Sequence, residues 1–298
     1  MPNTLAHLGV QTLVTKSISK TANFKWIAVG CILPDIPWIM QRIAVGLIPG
    51  AALVDLRLYV IIQSSLFYSL LLAAAVSLLA RNSGKIFLLL AGNCLLHLLL
   101  DALQIKWANG VHLLAPFSWQ LTNFQLFWPE QLPSYLLTGL GLIVLILFSI
   151  KDGLIPVYCK ITSNRLIPAA LVLGLYVLTP PLLFQGPLKA DNHFMATITE
   201  TAQRKGKKVA FDRSGYDPAT RTIRLFSGDR LAVSGLPMTQ KSTISLQGIF
   251  TDDKTVQALA WHVHSPLRDI SSLIGLSGIL LVWIVALLKK RCTLSRAL

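Results

Sequence analysis

The sequence predicts an α-helical integral membrane protein with about five to six transmembrane helices, and a small extracytoplasmic β-rich domain inserted before the last of them. Three observations carry this. Of its 298 residues 53% are hydrophobic and only 13% charged, with a mean hydropathy of +0.61, a balance unlike that of soluble domains. The apolar residues come in runs of roughly 17 to 22, the length a helix needs to cross a hydrocarbon core of about 30 Å. One stretch, 186–269, is instead polar, with alternating apolar positions and frequent turn signals.

The elements follow in order. The first 25 residues lack the apolar run of a signal peptide, so none is expected. Segment 26–48 is apolar, but Pro34, Asp35, Pro37, Gln41, Arg42 and Pro49 interrupt it, which reads as a re-entrant or interfacial stretch. Spans are expected at 58–80, 86–104, 134–150, 167–185 and 270–288. The chain then divides into a helical membrane domain at 1–150, a connecting segment and span at 151–185, the soluble β domain at 186–269, and the last span with a basic tail at 270–298.

Basic residues cluster at Arg81 and Lys85, at Lys151, Lys160 and Arg165, and at Lys289, Lys290, Arg291 and Arg296. By the positive-inside rule these places are cytoplasmic, as in a multi-pass protein of the bacterial inner (cytoplasmic) membrane with its C-terminus inside. The net charge of +14 is thereby assigned to orientation and to anionic headgroups, and no nucleic-acid partner is expected. Five spans leave the N-terminus outside, against the charges of Lys16, Lys20 and Lys25; a sixth span at 26–48 would bring it inside. Cys31, Cys94, Cys159 and Cys292 are scattered without CxxC spacing and read as packing residues.

In 186–269, alternation over 222–226 and 242–246, with turn signals at Ser214-Gly215, Asp217-Pro218, Ser227-Gly228 and Asp252-Asp253, predicts five or six short strands. That number suits a small barrel of OB type. His262 and His264 share a strand face and could bind metal, but with no third ligand nearby in sequence the favoured reading is of exposed polar residues on a strand whose other face is buried. The loop 105–133 is dense in Trp and Phe, which suits the headgroup level, and it carries His112 and Glu130.

Five acids precede residue 186, namely Asp35, Asp55, Asp101, Glu130 and Asp152. Asp35 and Asp101 lie in apolar surroundings, where an unpartnered carboxylate costs about 3 kcal/mol on insertion scales. His97 and Asp101, at i and i+4, share a helix face. Two readings of that pair are open: a buried hydrogen bond that pins the helix end, or two ligands of one ion. With the N-terminus outside, His7, Asp35, His97 and Asp101, with His112 in reserve, form a mixed nitrogen and oxygen set for a divalent metal, Zn²⁺ first and Mn²⁺ second.

The order of AHLG (His7), GCILPDIPW (Asp35), HLLLD (His97, Asp101) and GVHLLAPFSW (His112) resembles the membrane-bound metal-dependent hydrolases of the YdjM-like group over about the first 150 residues. There is a wider likeness to the all-helical zinc-dependent phospholipase C and P1 nuclease group. The resemblance implies metal-assisted hydrolysis of a phosphoester or lipid-linked substrate, with metal-bound water as nucleophile and membrane lipid at the site. The β domain lies outside it. Family members carry two ligand histidines in an HRGxTHS-type segment, and here Gln63 and Tyr68 stand in the corresponding places. That departure leaves a second expectation open: a noncatalytic membrane scaffold with a degenerate site, whose β domain binds an envelope protein.

Overall fold

In chain order the helices are α1 (Thr4–Ile18), α2 (Phe24–Ile32), α3 (Ile36–Leu47), α4 (Leu53–Gln63), α5 (Leu66–Leu78), α6 (Ser83–Leu103), α7 (Leu132–Asp152), α8 (Ser163–Leu178), the short α9 (Gln185–Lys189) and α10 (Met195–Thr199), and, after the strands, α11 (Leu267–Leu294). This computed structural model describes residues 3–48, 52–152, 157 and 161–294, with side chains to residue 288. Pro49, Cys159, Lys160 and Arg296 lie outside the described residues, as do the side chains of Lys289, Lys290, Arg291 and Cys292.

Among the described residues four helical segments are long and apolar enough to cross a membrane: Phe24–Leu47, Ser83–Leu103, Leu132–Asp152 and Leu267–Leu288. Two bent pairs would serve as well, α4 with α5 (73°) and α8 with the 3₁₀ turn and α9 that follow it (42°). The stretch expected to be re-entrant or interfacial is therefore helical from end to end, with a 3₁₀ turn at Leu33–Asp35 where Pro34 and Pro37 interrupt the α ladder. The span expected at 58–80 is bent at Ser64 and Ser65, where Ser65 caps α5 through the Tyr68 amide.

One long helix was hidden from the hydropathy reading. α1 runs beside α7 in the same direction: Asn3 bonds Thr138 at 2.6 Å near one end, and Lys16 meets Asp152 at 2.6 Å at the other. At 15 residues it is about 22 Å long, shorter than a full span, and Thr4, His7, Gln11, Thr12 and Lys16 dilute its apolar signal. Gly141 makes the close approach possible, since a Cβ there would lie 1.8 Å from the Leu5 carbonyl oxygen. α1 thus carries Lys16 away from the N-terminal end. Lys25 joins it by bonding the Asp152 carbonyl at 2.8 Å, and Arg165 bonds the Ala80 carbonyl, so Lys16, Lys25 and Arg165 lie toward the end of the bundle away from the barrel.

At the opposite end stands the β domain. β1 (Lys208–Asp217), β2 (Thr222–Arg224), β3 (Arg230–Ser234), β4 (Ser242–Phe250) and β5 (Thr255–Val263) close into a barrel in the order β1-β2-β3-β5-β4, antiparallel except for β3 with β5. Its interior is filled by Phe211, Ile223, Leu231, Leu246, Phe250 and Val256 among others. Two local expectations are corrected. Ser214-Gly215 does not turn the chain; β1 runs through it, and the register shifts between Phe211 and Ser214, with Arg213 at φ 47°. Residues 185–199 form helical turns, so the strand character begins only at Lys208.

Candidate metal centre

The site is assembled where α1, the α2–α3 junction and α6 meet, near the barrel end. Gly30 lets α2 lie against Asn93 of α6, where a Cβ would come within 2.6 Å of the Asn93 Cβ. That contact brings the Cys31 carbonyl to 2.7 Å from His97 Nδ1. From α1, His7 stacks on His97 with 3.8 Å between ring centres and 5° between planes. Donor atoms of His7, His97 and Asp101 all lie within 4.8 Å of one another and all three residues are buried. Asp101 Oδ1 is 3.2 Å from His7 Nε2, and Asp101 Oδ2 is 3.9 Å from His97 Nε2.

Hydrogen-bond polarity then fixes the His97 tautomer. A carbonyl only accepts, so Nδ1 carries a proton and donates to Cys31, and when the ring is neutral Nε2 is left with a lone pair. That lone pair faces Asp35 Oδ1 at 3.6 Å and Asp101 Oδ2 at 3.9 Å, both acceptors. Among the described residues neither His97 Nε2 nor Asp35 Oδ1 has a hydrogen-bond partner. Acceptors facing one another in a buried place call for positive charge between them, a second proton on the ring or a metal ion. His7 has matching outer support: Gln11, wholly buried, sits 3.4 Å from His7 Nδ1, and a rotation of its amide by 180° presents an acceptor there. The donor set could therefore hold a metal ion.

The other sequence-predicted ligands fall elsewhere. Asp35 neighbours His97 but stands outside the tight group. His112 does not join it either: its ring stacks on His193 at 5.5 Å and meets Trp119 edge-on. Gln63 and Tyr68 turn to α8 and its end, Gln63 bonding the Tyr176 carbonyl at 3.1 Å and Tyr68 the Thr179 hydroxyl at 2.7 Å.

Above the group lies a cavity of about 640 Å³, with Asp101 and Pro34 at its floor, Trp38 and Arg42 from α3 and Arg57 from α4 on its sides, and Asp212, Arg213 and Arg224 of the barrel as its roof. Its polarity is the reverse of the floor's. Arg57 approaches His193 Nδ1 at 3.4 Å, and since a guanidinium only donates, Nε2 of the neutral His193 ring carries the proton. Arg57 Nε and His193 Nε2 are both buried without an acceptor among the described residues, and Lys106 Nζ stands 3.5 Å from Asp101 Oδ2. Burial pushes the His112 pKa down to about 3, and burial, with Arg57 nearby, holds His193 well below 6.5. His193 is in the left-handed region at φ 55°, on a segment fixed by Asp191 bonds to the Thr197 amide and hydroxyl at 2.9 and 2.6 Å and by the Asn192 bond to Trp119 at 2.9 Å.

Sequence reasoning missed a second constellation. Glu130, just before α7, meets His262 Nε2 at 2.9 Å and His264 Nδ1 at 3.1 Å. His264 is buried rather than exposed, and Ser245 Oγ links its Nε2 (2.8 Å) to Asp212 (2.9 Å). The order Ser245, His264, Glu130 imitates a hydrolytic triad, but Ser245 is wholly buried and its hydroxyl donates to Asp212, so it is no nucleophile. Only the paired histidines gave a sequence signal; Asp212 arrives through the β1 irregularity and Glu130 through a 132-residue separation. No family model matches the chain, nor does any curated protein or any solved structure.

Proposed function

We propose that the protein is a membrane-bound metal-dependent hydrolase acting on a phosphoester or lipid-linked substrate at the outer headgroup level of a bacterial inner membrane, with the basic end and C-terminus cytoplasmic. One observation carries the reading: at the cavity floor the buried acceptors His97 Nε2 and Asp35 Oδ1 have no partner among the described residues, whereas on its walls Arg57 Nε and His193 Nε2 are buried donors with no acceptor among them. An ion below and a phosphoryl group above would satisfy both. The resemblance of residues 1–150 to YdjM-like hydrolases agrees with this.

His7, His97 and Asp101 would hold the ion, which supplies Lewis acidity: it lowers the pKa of water toward ~7 and offsets charge on phosphoryl oxygens. Arg57, His193 and Lys106 bind and orient the phosphoryl oxygens. Asp35 Oδ1, unpartnered and beside the ligands, is placed to take the proton of the attacking water. Exposed Leu114 and Phe117 of the loop after α6 would enter the headgroup layer beside the cavity mouth.

A second reading, a noncatalytic scaffold whose barrel binds an envelope protein, is favoured by Lys106, which already faces Asp101 as a counter-ion, and by the structural roles of Gln63 and Tyr68. Metal analysis of the detergent-purified chain separates the two, comparing wild type with the His97→Ala and Asp101→Ala double variant and assaying phosphodiester turnover. The hydrolase reading expects stoichiometric metal and turnover in the wild type and neither in the variant; a wild type with no metal at this group overturns it.

A further inference from the structure

We propose that Glu130, His262 and His264 hold a second divalent metal ion, of the Zn²⁺ class, which ties the loop after α6 to the barrel. The three residues offer one carboxylate and two imidazoles, with donor atoms within 4.8 Å of one another. They come from parts of the chain that no local pattern connects, the turn before α7 and the end of β5.

Hydrogen-bond polarity again carries the inference. Asp212 accepts from the Ser245 hydroxyl at 2.9 Å, so the Ser245 oxygen must in turn accept from His264 Nε2 at 2.8 Å. The proton of the neutral ring is thereby placed on Nε2, and the Nδ1 lone pair points at Glu130 Oε1, 3.1 Å away and itself an acceptor. A cation belongs between them. The choice lies between a second proton on the ring and a metal ion, and three features favour the metal. His262 offers Nε2 to the other Glu130 oxygen at 2.9 Å, completing a set of two imidazoles and a carboxylate that is common at zinc. The chain from Asp212 through Ser245 to His264 is the outer support that orients and strengthens a ligating imidazole. The His262 ring is held flat against Trp128, with 3.9 Å between centres and 6° between planes, so its donor is fixed in direction.

The ion would fasten the loop bearing Lys106 and His112 under the barrel roof bearing Asp212 and Arg213, and so fix the cavity's height.

The inference stands apart from the hydrolase reading, and metal counts distinguish them. Zn²⁺ per chain is measured by mass spectrometry on the full chain in detergent, for wild type, for the His262→Ala and His264→Ala double variant, and for His97→Ala. The expected result is two ions in the wild type and one in each variant. A wild type whose ions are all retained in the His262 and His264 variant overturns the second site and leaves the first; ions retained in His97→Ala but lost from the histidine pair do the reverse. Glu130→Gln, of the same shape, guards against misfolding: competition with a zinc chelator should show the affinity at this site fall more than about tenfold, and an unchanged affinity sinks the proposal.

Discussion

His7 and His97 lie ring on ring, 3.8 Å between centres, and both turn Nε2 toward one carboxylate, Asp101. They belong to helices that begin 79 positions apart (Thr4 and Ser83), yet they act as one unit. Replacing either by alanine should release the ion at this group almost completely, and the double replacement should release no more. Such non-additivity is what coupled ligands give, whereas additive partial losses in metal content would show two independent weak sites.

The α1–α7 contact makes a sharper test of how His7 reaches the centre. Gly141→Ala places a Cβ 1.8 Å from the Leu5 carbonyl, whereas Gly139→Ala, two positions earlier in the same helix, meets nothing within 4 Å. The first should cost about 1–3 kcal/mol or more by overpacking and weaken metal binding as His7 is displaced. The second should be neutral or slightly stabilising. Thermal midpoints and metal content of the two variants, side by side, check this.

Arg57 lies across the Trp38 and Phe226 rings, its guanidinium carbon 4.6 and 5.0 Å from their centres. Arg57→Gln keeps polarity but removes the charge and the fork. On the hydrolase reading, inorganic phosphate should bind more weakly by about ten- to a hundredfold, the size of a hydrogen bond to a charged group, with metal content unchanged. Calorimetric titration of the metal-loaded chain measures it; equal affinities would show that the cavity's donors serve another ligand.

Stability should fall on mild acidification. His112 and His193 are neutral in the fold, His112 held at about 3, and His264 is also lowered. The unfolded chain binds a proton on each as the pH drops below about 6.5, so stability present above that value declines toward pH 3, by up to about 1.4 kcal/mol per unit for each histidine. Thermal midpoints between pH 7.5 and 5 should trace this slope, above the range where carboxylates titrate. His112→Gln should flatten it, and an unaltered slope would mean that His112 is charged in the fold.

What could be read from the sequence was what is local in it. The spacing of His97 and Asp101 lies within one helical turn, and the long apolar run of α7 is visible in any window, as is the alternation in Ser242–Phe250. α1 was not legible, because burial of Thr4, His7, Gln11 and Thr12 depends on α7 and α11, which follow more than a hundred residues later. Ser214-Gly215 looked like a turn because Ser and Gly serve bulges as readily as turns. Nothing near His262 announced Glu130, since a loop residue finds its partner only when the barrel is placed on the bundle.

The pairing of α1 with α7 also sets an order on biosynthesis. α1 leaves the ribosome first, but Asn3, Gly9 and Lys16 have their counterparts in Thr138, Gly141 and Asp152, which are made last but for α8 and the barrel with its closing helix. Until α7 is inserted, the first helix has only α2 and α6 to lean on, and His7 has no Asp101 until α6 is complete. The centre at the cavity floor therefore cannot form before α6 is complete, and α7, arriving next, fixes the helix that carries His7.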